Sequence, residues 1–467
     1  MRRKGNKAGR AVVLAVAVVA GTIGAGCQLP PEIGSVLIGC SEASVRTQVT
    51  VSSHLDPSCT YTAGFDVVAS NVTLDCQGAL VKSAPGAGGV GILVSSPVTT
   101  ELSDVTVKNC SVDGFLNSFR VTRPGFRDLA EGVEYEHPTS NIRAEQNRFT
   151  NSRGVGAYVD GYVTGVTLKD NVIGNAGSSG IYLETGSKGS LVDHNVLVHN
   201  GYRENGPGGQ LFTINGTQIW FWGVGREGIS VDGSFENTIV NNTFTQNSNG
   251  GVLLYKNCGE YPGSGRYFER RTPSDHNTIE GNTFLDERNG VWIGSRMAEN
   301  TLPMDCTDPA YIDEPTRRVV HDHAEHNVVL DNHFTNVTYG VRVEDDGNQV
   351  LHNTFEGPGP DRHAVVVGTP LRAQVLGQPV DATVVSGNVS TIVGNPHPYR
   401  WIHGPTHTSA SDNTALGVPV SLCEGKPLPR QAIIFVLAAA LPGPGGTPPA
   451  TTPDLTVPTV GALPDCT

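Results

Sequence analysis

Aromatic residues are scarce, 6% of the chain, and charged residues reach only 16%. With 57 Gly and 30 Pro in 467 residues, this excludes an architecture of long helices and demands many turns. Basic residues are in deficit as well. A formal charge of -13 argues against nucleic acid or an anionic membrane surface as the main partner, because phosphate binding wants clustered Lys and Arg. A neutral ligand, or one held through metal ions, fits better. Long apolar runs are also missing: AVVLAVAVVAG at 11–21 and AIIFVLAAAL at 432–441 are each too short to cross a bilayer.

What is present begins with an export pattern. The basic stretch MRRKGNKAGR, the apolar stretch and the small residues TIGAG lead to Cys27, so residues 1–26 read as a signal segment. GAGC resembles the lipobox of bacterial lipoproteins, with Gly24 where that motif usually has Leu, which leaves two outcomes open: acylation of Cys27, giving the chain its one membrane attachment, or simple secretion. Either destination is extracytoplasmic. Without Cys27, eight of the nine cysteines remain, an even set suited to disulfides in an oxidising compartment. Their order along the chain suggests Cys40 with Cys59, Cys76 with Cys110, Cys258 with Cys306, and Cys423 with Cys466.

The strongest signal is a repeat. An Asn preceded three positions earlier and followed two positions later by an apolar residue recurs as Ala144/Asn147/Phe149, Leu168/Asn171/Ile173, Val192/Asn195/Leu197, Ile239/Asn242/Phe244, Ile279/Asn282/Phe284, Val329/Asn332/Phe334 and Val350/Asn353/Phe355. Eight or nine residues after most of these comes Gly-apolar-variable-apolar: GAYV at 156, GIYL at 180, GVLL at 251, GVWI at 290 and GVRV at 340, with GVEY at 132 and GISV at 228 matching too. Short alternating runs punctuated by Gly and Asn are strands, and a period in the low twenties marks a solenoid. One such unit cannot bury its own apolar residues, but a stack of them can. The Asn is expected to sit at a bend in the left-handed conformation and to bond its counterparts in neighbouring turns, with the following Phe filling the interior.

This pattern resembles the right-handed parallel β-helix superfamily, which includes pectate-lyase-like polysaccharide lyases, polygalacturonase-like hydrolases and mannuronan C5-epimerases. The resemblance implies an all-β chain, a single right-handed parallel β-helix of about ten to twelve coils with long inserted loops and capped ends. The segments expected are an N-terminal cap at 33–64, the helix at 65–422, and a C-terminal cap with a Pro-rich tail at 423–467. It specifies fold more than function, since the repeat records what a coil needs in order to stack. Neither the Asp-Pro-His run of the epimerases nor the Gly-His-Gly of the polygalacturonases is present.

Four stretches exceed the coil length and should leave the stack as loops: 113–131, 201–226, 257–276 and 295–326. If equivalent positions stack, the residue after each Gly-initiated strand forms one column, Glu136, Asp160, Glu184, Asp232, Tyr255, Gly294 and Glu344, and the variable position a second, Glu134, Tyr158, Tyr182, Ser230, Leu253, Trp292 and Arg342. A line of carboxylates beside tyrosines suits glycosidic-bond hydrolysis, which needs one protonated acid, one ionised carboxylate and aromatic faces for sugar rings. Asp160, Glu184 and Asp232 are the candidates for acid and base. The same acids could instead be a solvated face or hold calcium as a cofactor. Spacing between Asn195 and Gly228 leaves open whether a loop or a further coil separates Glu184 from Asp232.

Elimination on uronic acids is the competing chemistry. Lys256 would be the base, with Arg296 neutralising the substrate carboxylate and Tyr255 nearby; salt bridges to neighbouring acids are the plainer role for both cations. In QIWFWGVGRE at 218–227, Trp220 and Trp222 share one side of an extended segment, as a sugar platform or as the loop's own small core, and Arg226 and Glu227 would line the groove. HDHAEH places His321, His323 and His326 around Asp322 and Glu325, which could bind zinc or another transition metal or be a solvated loop. The partner expected is a polysaccharide bound by a monomer, and the third reading is a noncatalytic carbohydrate-binding solenoid.

Overall fold

In the computed structural model, residues 34–425 are described apart from 85–87, 203–209, 215–216, 222–225, 260–262, 264–266, 295–300, 303, 316, 321–322, 370–371, 374–377, 403–406 and 421. The chain winds into three sheets of thirteen strands each, nearly all paired in parallel with the winding before and after, and no α-helix occurs among the described residues. The count exceeds the ten to twelve coils expected because Val36–Ile38 and Thr47–Val49, ahead of residue 65, already pair into the sheets. Strands such as Leu191–Asp193 lie in the first sheet, Val196–Val198 in the second and Ile181–Leu183 in the third.

Short strands suffice because every strand inside the stack is hydrogen-bonded on both sides by its neighbours, about 4.8 Å away. One apolar core runs the length of the stack, including Val159, Leu183, Val231, Leu254, Ile293 and Val343, all fully buried. The recurring Asn builds its main polar ladder at the bend between the first and second sheets. Each side-chain oxygen accepts from the backbone and side-chain N–H groups of the Asn one winding earlier, as from Asn242 to Asn282 (2.8 and 3.0 Å) and from Asn282 to Asn332 (2.9 and 3.0 Å). Each Nδ2 also donates to a strand carbonyl, Asn282 to that of Ile239 at 2.9 Å. The ladder continues beyond the seven expected rungs to Asn388 and Asn413.

Two corrections concern this ladder. The left-handed residue is the one before the Asn: Asp170, His194, Asn241, Asp331 and His352 carry φ of 54–58°, while the ladder asparagines do not. The Asn contributes its amide, and its predecessor supplies the bend. Ladders also stand at the other two bends. Asn200, Asn247 and Glu287 form one, and Asn237, Asn277, Asn327 and Asn348 the other.

The phenylalanines fill the interior as expected, and there they stack, with Phe244, Phe284, Phe334 and Phe355 4.7–4.8 Å apart and nearly parallel. Their rings explain the Gly of the second motif. A Cβ placed on Gly251 would lie 2.4 Å from Phe284, and one on Gly340 2.3 Å from Phe355. Space rather than backbone conformation therefore requires Gly here.

The inserted loops differ in part from those expected. Asn117–Thr122 is a strand of the third sheet, so the first excursion covers 123–138 rather than 113–131. Gln210–Ile214 and Thr217–Phe221 form an antiparallel hairpin, and because Ile181 pairs directly with Ile229, no further coil intervenes there. Ala310–Glu314 and Arg317–Val320 form a second hairpin. The disulfides Cys40–Cys59, Cys76–Cys110 and Cys258–Cys306 are present, as order along the chain suggested. The pairing of Cys423 with Cys466, the signal segment with Cys27, and the tail lie outside the described residues.

Candidate active site

Parallel pairing in the third sheet turns two of the sequence patterns into columns. Arg120, Tyr158, Tyr182, Ser230, Leu253, Trp292 and Arg342 are successive partners in register. Two residues further along their strands, Asp160, Glu184, Asp232 and Tyr255 follow one another, Asp232 pairing directly with Tyr255. Glu136 is not among them. It is exposed in the 123–138 excursion, and Glu134 in the same loop pairs with Arg271 at 2.8 Å. GVEY imitates the strand motif; the strand that belongs there has Ser118 where later windings have Gly.

The carboxylates are covered rather than laid along an open wall: Asp160 is 1% exposed, Glu184 3% and Asp232 0%. Loops 123–138 and 267–273 meet above them. Phe268 packs edge-on against Phe126 and Tyr162, with centroids 5.1 and 6.1 Å away, and Arg271 joins Glu134. From this roof Arg270 reaches down between two windings. Its Nη1 pairs with Glu184, lies 3.3 Å from Asp232 Oδ2 and donates to Thr185 Oγ1 at 2.9 Å.

Each acid has its own environment. Arg120 grips Asp160 with two nitrogens, the shortest contact being 2.8 Å. Burial nevertheless raises the Asp160 carboxyl above the ordinary range, and Arg120 offsets only part of it. For Glu184, burial is outweighed by the Arg270 charge and the hydrogen bond from the Tyr158 hydroxyl, so its carboxyl sits below the ordinary range. Tyr182 donates to Asp232 Oδ2 at 2.5 Å, and the amide of Asn257 donates to Asp232 Oδ1 at 2.7 Å. Burial, and then the carboxylates beside them, keep both phenols far above their usual pKa, so they act as donors. The two rings stack 5.1 Å apart, with Arg120 over Tyr158.

The other expected site residues scatter around this centre. Lys256 is buried and donates to Asp308 at 2.7 Å, the salt bridge anticipated as its plainer role. Tyr255 is buried beside Asp232. Further along the stack, Arg342 lies 4.4 Å over the Trp292 ring and pairs with Glu344 at 2.5 Å. Arg226 and Glu227 line no open groove: both are buried, and Glu227 accepts from Ser230 at 2.5 Å. Trp220 sits in the 217–221 hairpin strand opposite Leu211, while its side chain, Trp222 and Arg296 lie outside the described residues. Arg120 and Arg270 were missed. Arg120 could have been found by letting Ser replace Gly in the strand motif, whereas Arg270 reaches Glu184 across 86 residues of chain with no local signal.

The family model for the right handed beta helix region matches residues 66–302, just over half of the chain. The chain belongs to the right-handed β-helix family. Among curated proteins no sequence match is found. Similar solved structures include the A-module of Azotobacter vinelandii mannuronan C-5 epimerase AlgE6 (15% identity, 79% of this chain and 86% of that chain covered, TM-score 0.47). The catalytic domain of a GH87 alpha-1,3-glucanase in complex with nigerose is another (12% identity, 81% and 64%, TM-score 0.41), as is an alginate lyase from Paenibacillus sp. str. FPU-7 (13% identity, 70% and 96%, TM-score 0.42). These likenesses leave the reaction open.

Proposed function

We propose that this chain is an extracytoplasmic carbohydrate-active enzyme that cleaves glycosidic bonds by hydrolysis, with Asp160 as proton donor and Glu184 as nucleophile. The observation that carries the reading is the pair of carboxylates at one strand position on adjacent windings, Asp160 and Glu184, flanked by the stacked Tyr158 and Tyr182. Neighbouring windings are about 4.8 Å apart, near the separation of about 5–5.5 Å used for retention of configuration. Asp160 protonates the leaving oxygen while the Glu184 carboxylate attacks the anomeric carbon and forms a glycosyl ester. Water, giving its proton to Asp160, then releases the sugar. Arg270 and the Tyr158 hydroxyl favour the ionised form of Glu184, and Asp232, which accepts from Tyr182, shares Arg270 with it. The three disulfides fit an oxidising compartment.

Because Arg270 covers both Glu184 and Asp232, substrate must displace the 267–273 segment before it reaches them. Elimination on a uronic acid is the second reading, favoured by the arginines Arg120 and Arg270 beside the acids, which could neutralise a substrate carboxylate. A panel of neutral and acidic polysaccharides separates the two. New reducing ends without ultraviolet absorbance indicate hydrolysis, absorbance of an unsaturated sugar indicates elimination, and retention without products indicates a binding solenoid. With a cleaved substrate in hand, Asp160→Asn and Glu184→Gln should each lower kcat by at least about 100-fold, and full turnover in either variant would remove that residue from the mechanism.

A further inference from the structure

The loop that carries Asp308 returns to the stack through His323, Ala324 and Glu325, and the geometry there points to a second site. We propose that His323, Glu325 and Asp345 bind a divalent transition-metal ion that clamps the returning loop onto the next winding. One ligand atom from each residue lies within 4.8 Å of the others. His323 and Glu325 flank Ala324, and their side chains meet, with His323 Nδ1 3.3 Å from Glu325 Oε1. Asp345, fully buried, enters from the winding that follows.

The surroundings are those of a prepared ligand set. Asp345 Oδ1 accepts from Arg372 Nη1 and from the Asp346 amide, each at 3.0 Å, while Oδ2 takes the Ala324 amide at 2.7 Å. That amide lies between the other two ligands, so the carboxylate is fixed with Oδ2 toward them. On the far side of the imidazole, Nε2 stands 3.7 Å from Asp308 Oδ1. A metal on Nδ1 and a carboxylate facing Nε2 is the arrangement in which an outer acid orients a ligating His and raises its basicity. One imidazole nitrogen with two carboxylates suits zinc or manganese, whereas calcium wants six to eight oxygens. Because Asp308 also holds Lys256, the ion would brace the ion pair beside the acid column. The site does not depend on the glycosidase reading, and its readout is metal binding.

The test uses the untagged full chain, stripped with chelator and titrated with zinc chloride by calorimetry, with calcium chloride as control. One equivalent of zinc is expected, with a rise in melting temperature that calcium does not reproduce. His323→Ala and Glu325→Gln should each weaken zinc binding by at least about 10-fold while keeping the metal-free melting temperature. His407→Ala, a surface control, should bind as the parent does. No stoichiometric zinc, equal binding by Glu325→Gln, or a calcium response in place of zinc would each overturn the assignment. If His323→Ala fails to fold, the parent's zinc-dependent melting shift and the Glu325→Gln variant still decide.

Discussion

Gly290 lies against the ring of Phe334 on the next winding, so close that a Cβ on Gly290 would come within 2.3 Å of the ring's Cε1. The ring cannot retreat, because Phe284 and Phe355 stack on its two faces 4.7 and 4.8 Å away. Gly290→Ala should therefore destabilise the fold by roughly 1–3 kcal/mol, as overpacking of a core does. Denaturant unfolding measures it, and a cycle with Phe334→Leu should show the two changes to be non-additive. Additive losses would mean that the ring and the glycine do not constrain each other.

The amide ladder gives a second expectation. Asn282 accepts from Asn242 and donates to Asn332 and to the Ile239 carbonyl, all buried. Asn282→Ala leaves those groups without partners at about 1–3 kcal/mol each, and Asn282→Asp should also destabilise because a carboxylate cannot donate. Melting temperatures below the parent for both variants are expected. An unchanged Asn282→Ala would show that the ladder is dispensable.

Glu287 ends the second ladder, and burial pushes its carboxyl up from 4.5 to about 8. Its Oε1 accepts from Asn247 at 2.7 Å, while Oε2 is buried without a hydrogen-bond partner among the described residues. A folded-state pKa above the unfolded value makes the contribution to stability complete below about 4.5 and lost as pH rises through about 8. Glu287→Gln keeps the acceptor and cannot ionise. Its melting temperature should gain on the parent's between pH 5 and 9, and parallel curves would show that Glu287 is already ionised in the fold.

Arg270 is the counter-ion for Glu184 and Asp232. Arg270→Gln leaves both carboxylates buried beside each other, at a cost of about 3–5 kcal/mol. The sign with pH follows from Glu184, whose carboxyl is held below its ordinary value. Its contribution is present above the unfolded pKa and is lost as pH falls through the lower folded value. The variant's deficit in chemical unfolding should thus be largest near neutrality and shrink in acid. A deficit that is constant with pH would mean that Arg270 acts through packing alone.

Much of the fold was legible because a solenoid writes its period into the sequence. Each winding meets the same neighbours, so Asn242, Asn282 and Asn332 recur for one reason, and Phe284 with Gly251 for another. The acid column could be read the same way, since register makes Asp160, Glu184 and Asp232 equivalent positions. Only the tertiary structure decided what lies over that column. Loops obey no repeat, and the contacts that place Arg270 on Glu184, Arg271 on Glu134 and Asp308 on Lys256 join residues far apart in the chain. Glu136 was misplaced for the same reason: GVEY has the residues of a strand, but Asn117–Thr122 had already taken the place in the sheet, and a ladder accepts one strand per winding.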